Sequence, residues 1–387
     1  MNTSDFIYLD HAAATPLDPK VFKVMQPYFS DNFFNPSSPY APSVKVKRDY
    51  EAAKHSIAQT IGTKPDELVM TAGATESINL SFSASKGGHV VTTQIEHQAV
   101  LAAASQCASV TTVAVDSSGI VTAKAVADAI TPETTFISVG LANSELGTLQ
   151  PLYEIARSIA DERQRRQENN ETTPLYFHSD ASQGAGQTDI HPARLGLDMM
   201  TLNAGKMYGP KQVGLLWASN RVMLTPQIYG GGQERGLRSG TENVAGIIGF
   251  AKALELSEKQ RKSESDRLKK IRDMLQRQLT DKFPSSVISG NQKHRLSGHL
   301  HISFPGLDAE RLLFALESFG VLVATGSACA ANKGTRSHVL TAIGMSDEIA
   351  DGSLRISLGK LSTVENISRA AEHIIAVVTA EQARLSR

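Results

Sequence analysis

An α/β fold, a mostly parallel sheet covered by helices and followed by a smaller α+β domain, is the architecture this sequence predicts. Three observations predict it. Between about residues 67 and 219, short β-rich runs alternate with amphipathic stretches, the pattern of a parallel sheet with helical crossovers. Residues 251–282 then form one long, charged segment of roughly helical period. After it, strand-like and helix-like runs mix without regular alternation.

In chain order, the strand-like runs are 67–71, 89–93, 110–115, 135–139, 175–178, 199–202 and 213–217. Helix-like runs at 75–84, 98–105, 123–130 and 152–163 lie between them. The polar run 164–173 reads as an exposed connection, and 251–282 as a solvated helix bridging two domains. Later runs fall at 287–289, 299–304, 309–318, 321–323 and 352–357. The expected division is a large domain over 16–255 and a small one made of 1–15 and 256–387. With 387 residues the chain exceeds one ordinary core.

Composition narrows the function. Hydrophobic residues make up 41% and charged residues 20%, the mix of a globular protein, and 39 basic residues balance 39 acidic ones. That neutrality gives no bulk case for nucleic acid or an anionic membrane. No apolar run approaches the roughly 20 residues of a membrane helix, and residues 1–11 show no signal pattern. Two cysteines, Cys107 and Cys329, make neither a disulfide framework nor a zinc motif. The expectation is a cytoplasmic protein without a metal.

Five local features carry chemistry. Thr71-Ala72-Gly73-Ala74-Thr75-Glu76-Ser77 follows an apolar run and opens a helix, where backbone N–H groups and the helix dipole favour an anion. A plain strand–helix turn capped by Thr75 is the other reading. Asp180 closes a strand-like run, where an α/β sheet presents functional groups, although loop-capping aspartates are common. Lys206 lies among small residues, with Gly209 and Pro210 fixing the turn behind it; a cramped lysine has a lowered pKa and is nucleophilic. His97 begins a helix after a strand, where an imidazole can stack and move protons, or simply end a turn. Cys329 lies in a small, Gly-flanked stretch, 323–334, that reads as a loop presenting a nucleophilic thiol. Cys107, in an apolar helix end, reads as packing. A phosphate turn, then Asp180, then Lys206 is an order that suits a pyridoxal cofactor.

Together these segments resemble the cysteine desulfurases of the NifS/IscS type, in the fold-type I, class V aminotransferase superfamily. The resemblance runs from Tyr8-Leu9-Asp10-His11-Ala12-Ala13-Ala14-Thr15-Pro16 through Asn35-Pro36-Ser37-Ser38, Gly73-Ala74-Thr75-Glu76-Ser77, Glu96-His97 and Asp180-Ala181-Ser182-Gln183. It continues through Lys206-Met207-Tyr208-Gly209-Pro210-Lys211 and Gly230 to Thr241, then Gly326-Ser327-Ala328-Cys329 and Leu354-Arg355-Ile356-Ser357. It implies pyridoxal 5'-phosphate on Lys206 as a Schiff base, with Asp180 on the ring nitrogen, Gln183 on the ring hydroxyl and His97 stacked on the ring. Ala74, Thr75 and Asn203 would hold the phosphate, and Ser144 would lie near cofactor and substrate. Thr241 would reach a partner subunit's phosphate, which implies a homodimer. Arg355 would pair with the substrate carboxylate, assisted by Ser144 and Asn35. Cys329 would take the sulfur of L-cysteine as a persulfide and pass it to an acceptor, such as an iron–sulfur scaffold or a tRNA-thiolation relay. The spacing from Cys329 to Ser337-His338-Val339-Leu340 resembles the long-loop group.

Four positions depart from the family pattern. Gly205 replaces a histidine, Asn203 a serine, Ser144 an asparagine and Ala41 a histidine. The first two family residues touch the phosphate, so an altered phosphate pocket is expected. Two alternatives stand beside desulfuration: selenocysteine lyase or another pyridoxal reaction, and a desulfurase-like scaffold impaired in cofactor binding.

Overall fold

Most apolar runs of the first half become strands buried on both faces, whereas the edge strand over Ser109–Val113 is partly exposed. The computed structural model describes residues 6–325 and 336–386. The chain opens with a short strand, β1 (Ile7–Tyr8), and helices α1 (Pro19–Met25), α2 (Pro27–Ser30) and α3 (Ala41–Ile61). Alternation follows: β2 (Leu68–Thr71), α4 (Ala74–Phe82), β3 (His89–Thr93), α5 (Gln98–Ala104), β4 (Ser109–Val113), α6 (Ala123–Asp128), β5 (Thr134–Ser138) and α7 (Leu152–Glu168). It ends with β6 (Tyr176–Asp180), α8 (Pro192–Leu195), β7 (Met199–Asn203) and β8 (Gly214–Ala218). These strands form one seven-stranded sheet in the order β2-β8-β7-β6-β5-β3-β4. Only β8 runs antiparallel to its neighbours, so the sheet is mostly parallel. Both faces are covered, which explains the near-continuous apolar strands. Val91, Ile137, Phe177 and Met200 face one core, and Val90, Phe136, Tyr176 and Met199 the other.

The long helix α9 (Val244–Lys282) has 39 residues. At 1.5 Å per residue it spans about 58 Å. Its start, up to Leu254, packs into the core of the large sheet; Leu268, Ile271, Leu275 and Leu279 pack into a second core. The reading of a solvated bridge is therefore corrected: the helix bridges two cores but contributes apolar side chains to each. The second core also holds β9 (Val287–Ser289), β10 (His299–Ser303), α10 (Ala309–Ser318), β11 (Val321–Leu322), β12 (Ser353–Ser357) and α13 (Val364–Leu385) on or around it, while α11 (His338–Ala342) and α12 (Asp347–Asp351) give Val339, Leu340 and Ala350 to a separate small cluster with Ile95 and Leu146. Strands β12, β10 and β9 form an antiparallel sheet, and β1 pairs in parallel with β11.

Two local expectations change. The polar run after residue 163 is not a connection at its start, because α7 continues to Glu168. Arg166 explains the continuation: it is 2% exposed and donates to the carbonyls of Thr131, Thr134 and Thr173, while Glu162 accepts from both Arg165 and Arg166. Thr75 does not cap α4; the cap is Gly73. Among the described residues, no helix is long and apolar enough to cross a membrane, and no cluster of three or more His, Cys, Asp or Glu could hold a metal ion.

Candidate active site

The carboxyl ends of β6 and β7 present two of the predicted groups. Strand β7 ends at Asn203, and a single 3-10 turn, Ala204–Lys206, follows. The Asn203 side chain accepts from the Gly205 N–H at 3.0 Å and so starts that turn. Lys206 Nζ donates to the carbonyls of Ala12 at 2.8 Å and Ala13 at 2.7 Å. Thr15 clamps the same turn, donating from its hydroxyl to Gly205 O at 3.0 Å and accepting from Tyr208 N–H at 2.8 Å. The N-terminal segment thus fixes the lysine and the turn that carries it.

One strand over, Asp180 closes β6, and its Oδ1 accepts from Ser182 N–H at 3.0 Å. Gln183 donates to Ala12 O at 3.0 Å, sharing that carbonyl with Lys206. Beyond β5, Gly140 N–H donates to both oxygens of Glu96, and the Thr93 hydroxyl donates to Oε1 at 2.8 Å. Glu96 is sealed from solvent. Burial pushes its carboxyl up to about 7, against the lowering effect of those two donors, and the Asp180 charge adds to the rise. His97 caps α5, its Nδ1 accepting from Ala99 N–H at 3.1 Å. That bond assigns the neutral ring its proton on Nε2.

Helix α4 begins without a side-chain cap. Gly73, at φ 144°, takes a backbone conformation that side chains rarely adopt. The first-turn N–H groups of Ala74 and Thr75 are thereby left for an anion. The one acid in that turn, Glu76, is engaged elsewhere, by Ala72 N–H at 2.7 Å and Arg238 Nε at 2.9 Å. From the second core, β12 supplies Arg355. Its side chain is 2% exposed, donates from Nη2 to Asp10 at 2.6 Å and makes a long 3.5 Å contact from Nη1 to Ser144 O. Its Nε has no partner.

These residues line one cavity of about 310 Å³, within the range of small-molecule sites. The wall includes Ala74, Thr75, His97, Ser144, Asp180, Gln183, Asn203, Lys206 and Arg355 of the predicted set. Two predicted residues lie elsewhere. Asn35 is exposed and its side chain closes a local turn on Ser37 N–H; Thr241 is exposed. Cys329 lies outside the described residues. The chain on either side of that stretch is anchored beside the cavity. Ala324 exchanges backbone hydrogen bonds with Arg355 at 2.7 and 3.2 Å. Ser337 donates to Glu145 at 2.5 Å, and His338 Nε2 donates to Glu96 O at 3.0 Å. Cys107 is half-buried at the end of α5, with burial raising its thiol pKa, as a packing residue would be.

Three participants escaped the sequence reading: the carbonyls of Ala12 and Ala13, the carboxyl of Glu96 and the Asp10 partner of Arg355. Asp10, Ala12, Ala13 and Glu96 stand within quoted motifs, but a backbone carbonyl or a pair 345 residues apart leaves no local pattern. The donor set suits pyridoxal phosphate. An uncapped helix N-terminus faces the cavity for the phosphate, a carboxylate closes β6 for the ring nitrogen, and a lysine amine and an imidazole share the wall.

Comparison with known proteins gives a consistent result. The model of the aminotransferase class-V family matches residues 7–370. Cysteine desulfurase IscS of Clostridium botulinum is 37% identical over 378 residues, covering 95% of this chain and 92% of that protein. Putative cysteine desulfurase IscS 1 of Bacillus subtilis is 36% identical over 383 residues, covering 96% and 98%. A solved NifS-like protein superimposes with a TM-score of 0.88 at 30% identity, covering 97% of this chain and 99% of that one.

Proposed function

The chain belongs to the class-V aminotransferase family, and on that premise we propose that it is a pyridoxal-phosphate-dependent cysteine desulfurase, releasing L-alanine from L-cysteine and retaining the sulfur as a persulfide on Cys329. One observation carries the reading: Lys206, Asp180, His97, the α4 N-terminus and Arg355 meet in a single cavity.

In this reading Asp180 holds the ring nitrogen of the cofactor, Gln183 its hydroxyl, and Thr75, Ala74 and Asn203 its phosphate. Bound pyridoxal phosphate supplies the electron sink that lets the substrate's α-proton leave. The chain's own groups do the rest. Arg355 takes the substrate carboxylate, for which its planar fork is suited, and Asp10 keeps the fork in place from behind. Lys206, held on two carbonyls, accepts the α-proton. His97, with its proton on Nε2 and its Nδ1 tied to α5, presents a group that hands protons to and from the substrate thiol. The Cys329 thiolate attacks the substrate sulfur. The S–S bond forms as the C–S bond breaks, and the carbon keeps the electron pair and takes up a proton, leaving as alanine. The anchoring of Ala324 on Arg355 and of Ser337 and His338 on Glu145 and Glu96 supports a route for Cys329 to this cavity.

In this reading the exposed Thr241 serves a second copy's phosphate and the protein acts as a homodimer. The sulfur acceptor is a protein such as an iron–sulfur scaffold or a tRNA-thiolation relay, and the cytoplasm, whose reducing conditions suit a reactive thiol, is the compartment. The test is direct. Protein incubated with pyridoxal phosphate turns yellow and converts L-cysteine to alanine and, with a reductant, sulfide. Lys206→Ala loses the visible band, and Cys329→Ser keeps the band but loses sulfide release. A colourless wild type, or a Cys329→Ser variant with full sulfide release, overturns the proposal.

A further inference from the structure

Lys206 and Gln183 stand between two cavities, not beside one. On the side away from the substrate lies a second, smaller cavity of about 50 Å³, walled by the N-terminal segment, α9, β10 and the turn after β12. Several buried polar atoms on its wall have no partner. His11 is 6% exposed and His299 2%. His11 donates from Nδ1 to Ser357 O at 3.1 Å, which leaves a lone pair on Nε2, and that atom has no partner. Gln187 Oε1 and both ring nitrogens of His299 also have none.

Buried polar atoms are almost always hydrogen-bonded, to protein or to water. A water needs roughly 10–15 Å³ of such space and two to four polar partners. The cavity therefore admits about three waters, which can donate to His11 Nε2 and Gln187 Oε1 and accept from the His299 N–H. We propose that this cavity is a built water site, and that through its waters His11 takes protons from Lys206 and returns them during the reaction. The proposal rests on reading Lys206 as the group that accepts the substrate α-proton.

The step balances without any co-reactant. An N–H bond of the lysine ammonium breaks, a water O–H forms, a second O–H of the chain passes its proton to His11 Nε2, and one positive charge moves from Lys206 to His11. The surroundings favour a transient stop. Tyr8 packs on the His11 ring at 4.9 Å between centroids and Tyr208 at 6.2 Å. Asp10 adjoins it, α9 contributes the ion-paired Glu264 and Arg267, β10 contributes His299, and Lys360 Nζ sits 4.4 Å from the Tyr208 ring centre. Burial is the largest influence and pushes the His11 pKa down, so a proton received there is readily given back.

The test uses the full-length protein loaded with pyridoxal phosphate. Wild type and His11→Gln are compared by high-resolution crystallography and by exchange of the L-alanine α-hydrogen for solvent deuterium, followed by proton NMR. Glutamine keeps an acceptor for water but cannot take the proton. The expected result is ordered water on His11 Nε2 in the wild type, water retained in the variant, an unchanged visible band, and α-hydrogen exchange slowed roughly tenfold or more. A dry cavity in the wild type, or exchange at the wild-type rate in His11→Gln, overturns the proposal. A wild type that never turns yellow overturns the functional reading instead, and the crystallographic water on His11 then still decides whether the cavity is a water site.

Discussion

Gly205 is one of the residues where this site departs from its family's pattern, and its surroundings leave room for a Cβ. Its backbone is not left-handed, and a Cβ there meets only Asn203 Oδ1 at 3.4 Å and Lys211 Cγ and Cα at 3.6 and 3.7 Å, ordinary contacts. The first carbon of a side chain therefore meets no clash. Because Asn203 Oδ1 is already used on Gly205 N–H, only its amide nitrogen remains to meet a phosphate. We predict that Gly205→His, by adding one charge-assisted hydrogen bond of about 1.5 kcal/mol or more, tightens pyridoxal phosphate binding roughly tenfold. Titration of the cofactor-free protein would read this, and an unchanged Kd would remove the altered-pocket idea. Arg355 gives the opposite case. Arg355→Lys keeps the charge but loses the fork, so KM for L-cysteine should rise by about 30-fold or more, with a smaller change in kcat. Steady-state kinetics at fixed pH decides it, and an unchanged KM would move the carboxylate site elsewhere.

At the scale of elements, the glycine-rich segment between β8 and α9 is held down by one side chain. Glu234 and Arg235 both adopt positive φ, 47° and 60°, an uncommon conformation for residues with side chains. Glu234 stabilises it by accepting from Tyr50, from Lys54 at 3.1 Å and from Met70 N–H at 2.8 Å, all in a pocket where the paired side chains are 8% and 5% exposed. Removing one partner of such a pair leaves a buried charge unpaired, so Glu234→Ala should lose about 3–5 kcal/mol. Denaturant unfolding checks this; a loss below about 1 kcal/mol would place the anchor elsewhere. Elements also show what was legible in the sequence. The strands of the large sheet came within one or two residues of their observed limits, because runs such as His89–Thr93 are β-branched and buried on both faces. The end of α7 did not, because its helix is sustained by ion pairs and by Arg166 hooked on three carbonyls, none of which produces an apolar stripe. Within the site, Asp180 and His97 were legible because one ends a strand and the other starts a helix, and Lys206 because it lies in the tight turn just after a strand. The rear cavity was not, because its walls come from six separated segments.

For the whole molecule, three sealed histidines should set the response to acid. Burial lowers His178 to about 4, His299 to about 3 and His301 to about 4, all below the ordinary 6.5. Between those values and 6.5 the unfolded chain binds more protons than the folded one, so stability falls as the pH drops. Glu96, raised to about 7, acts in the opposite sense over 4.5 to 7. Three groups against one leave a net uptake of between one and two protons on unfolding, or about 2 kcal/mol per pH unit. The Tm should therefore decline steadily from pH 6.5 to pH 5, before the paired carboxylates held near 2, such as Glu162 and Asp189, begin to titrate. A flat or rising profile over that interval would contradict the burial of these rings.

The joining of the two chain ends has a consequence for biosynthesis. Asp10 grips Arg355, Ala12 N–H bonds the hydroxyl of Ser357 across 345 residues, and β1 pairs with β11. The ribosome releases the first of these segments long before it makes the second. At 5–20 residues per second, the N-terminal stretch waits roughly 20–70 s for its partners. Until then Lys206 is without the finished wall around it. Cofactor loading is thus an event of the completed chain, and a nascent chain stalled before residue 355 should be colourless.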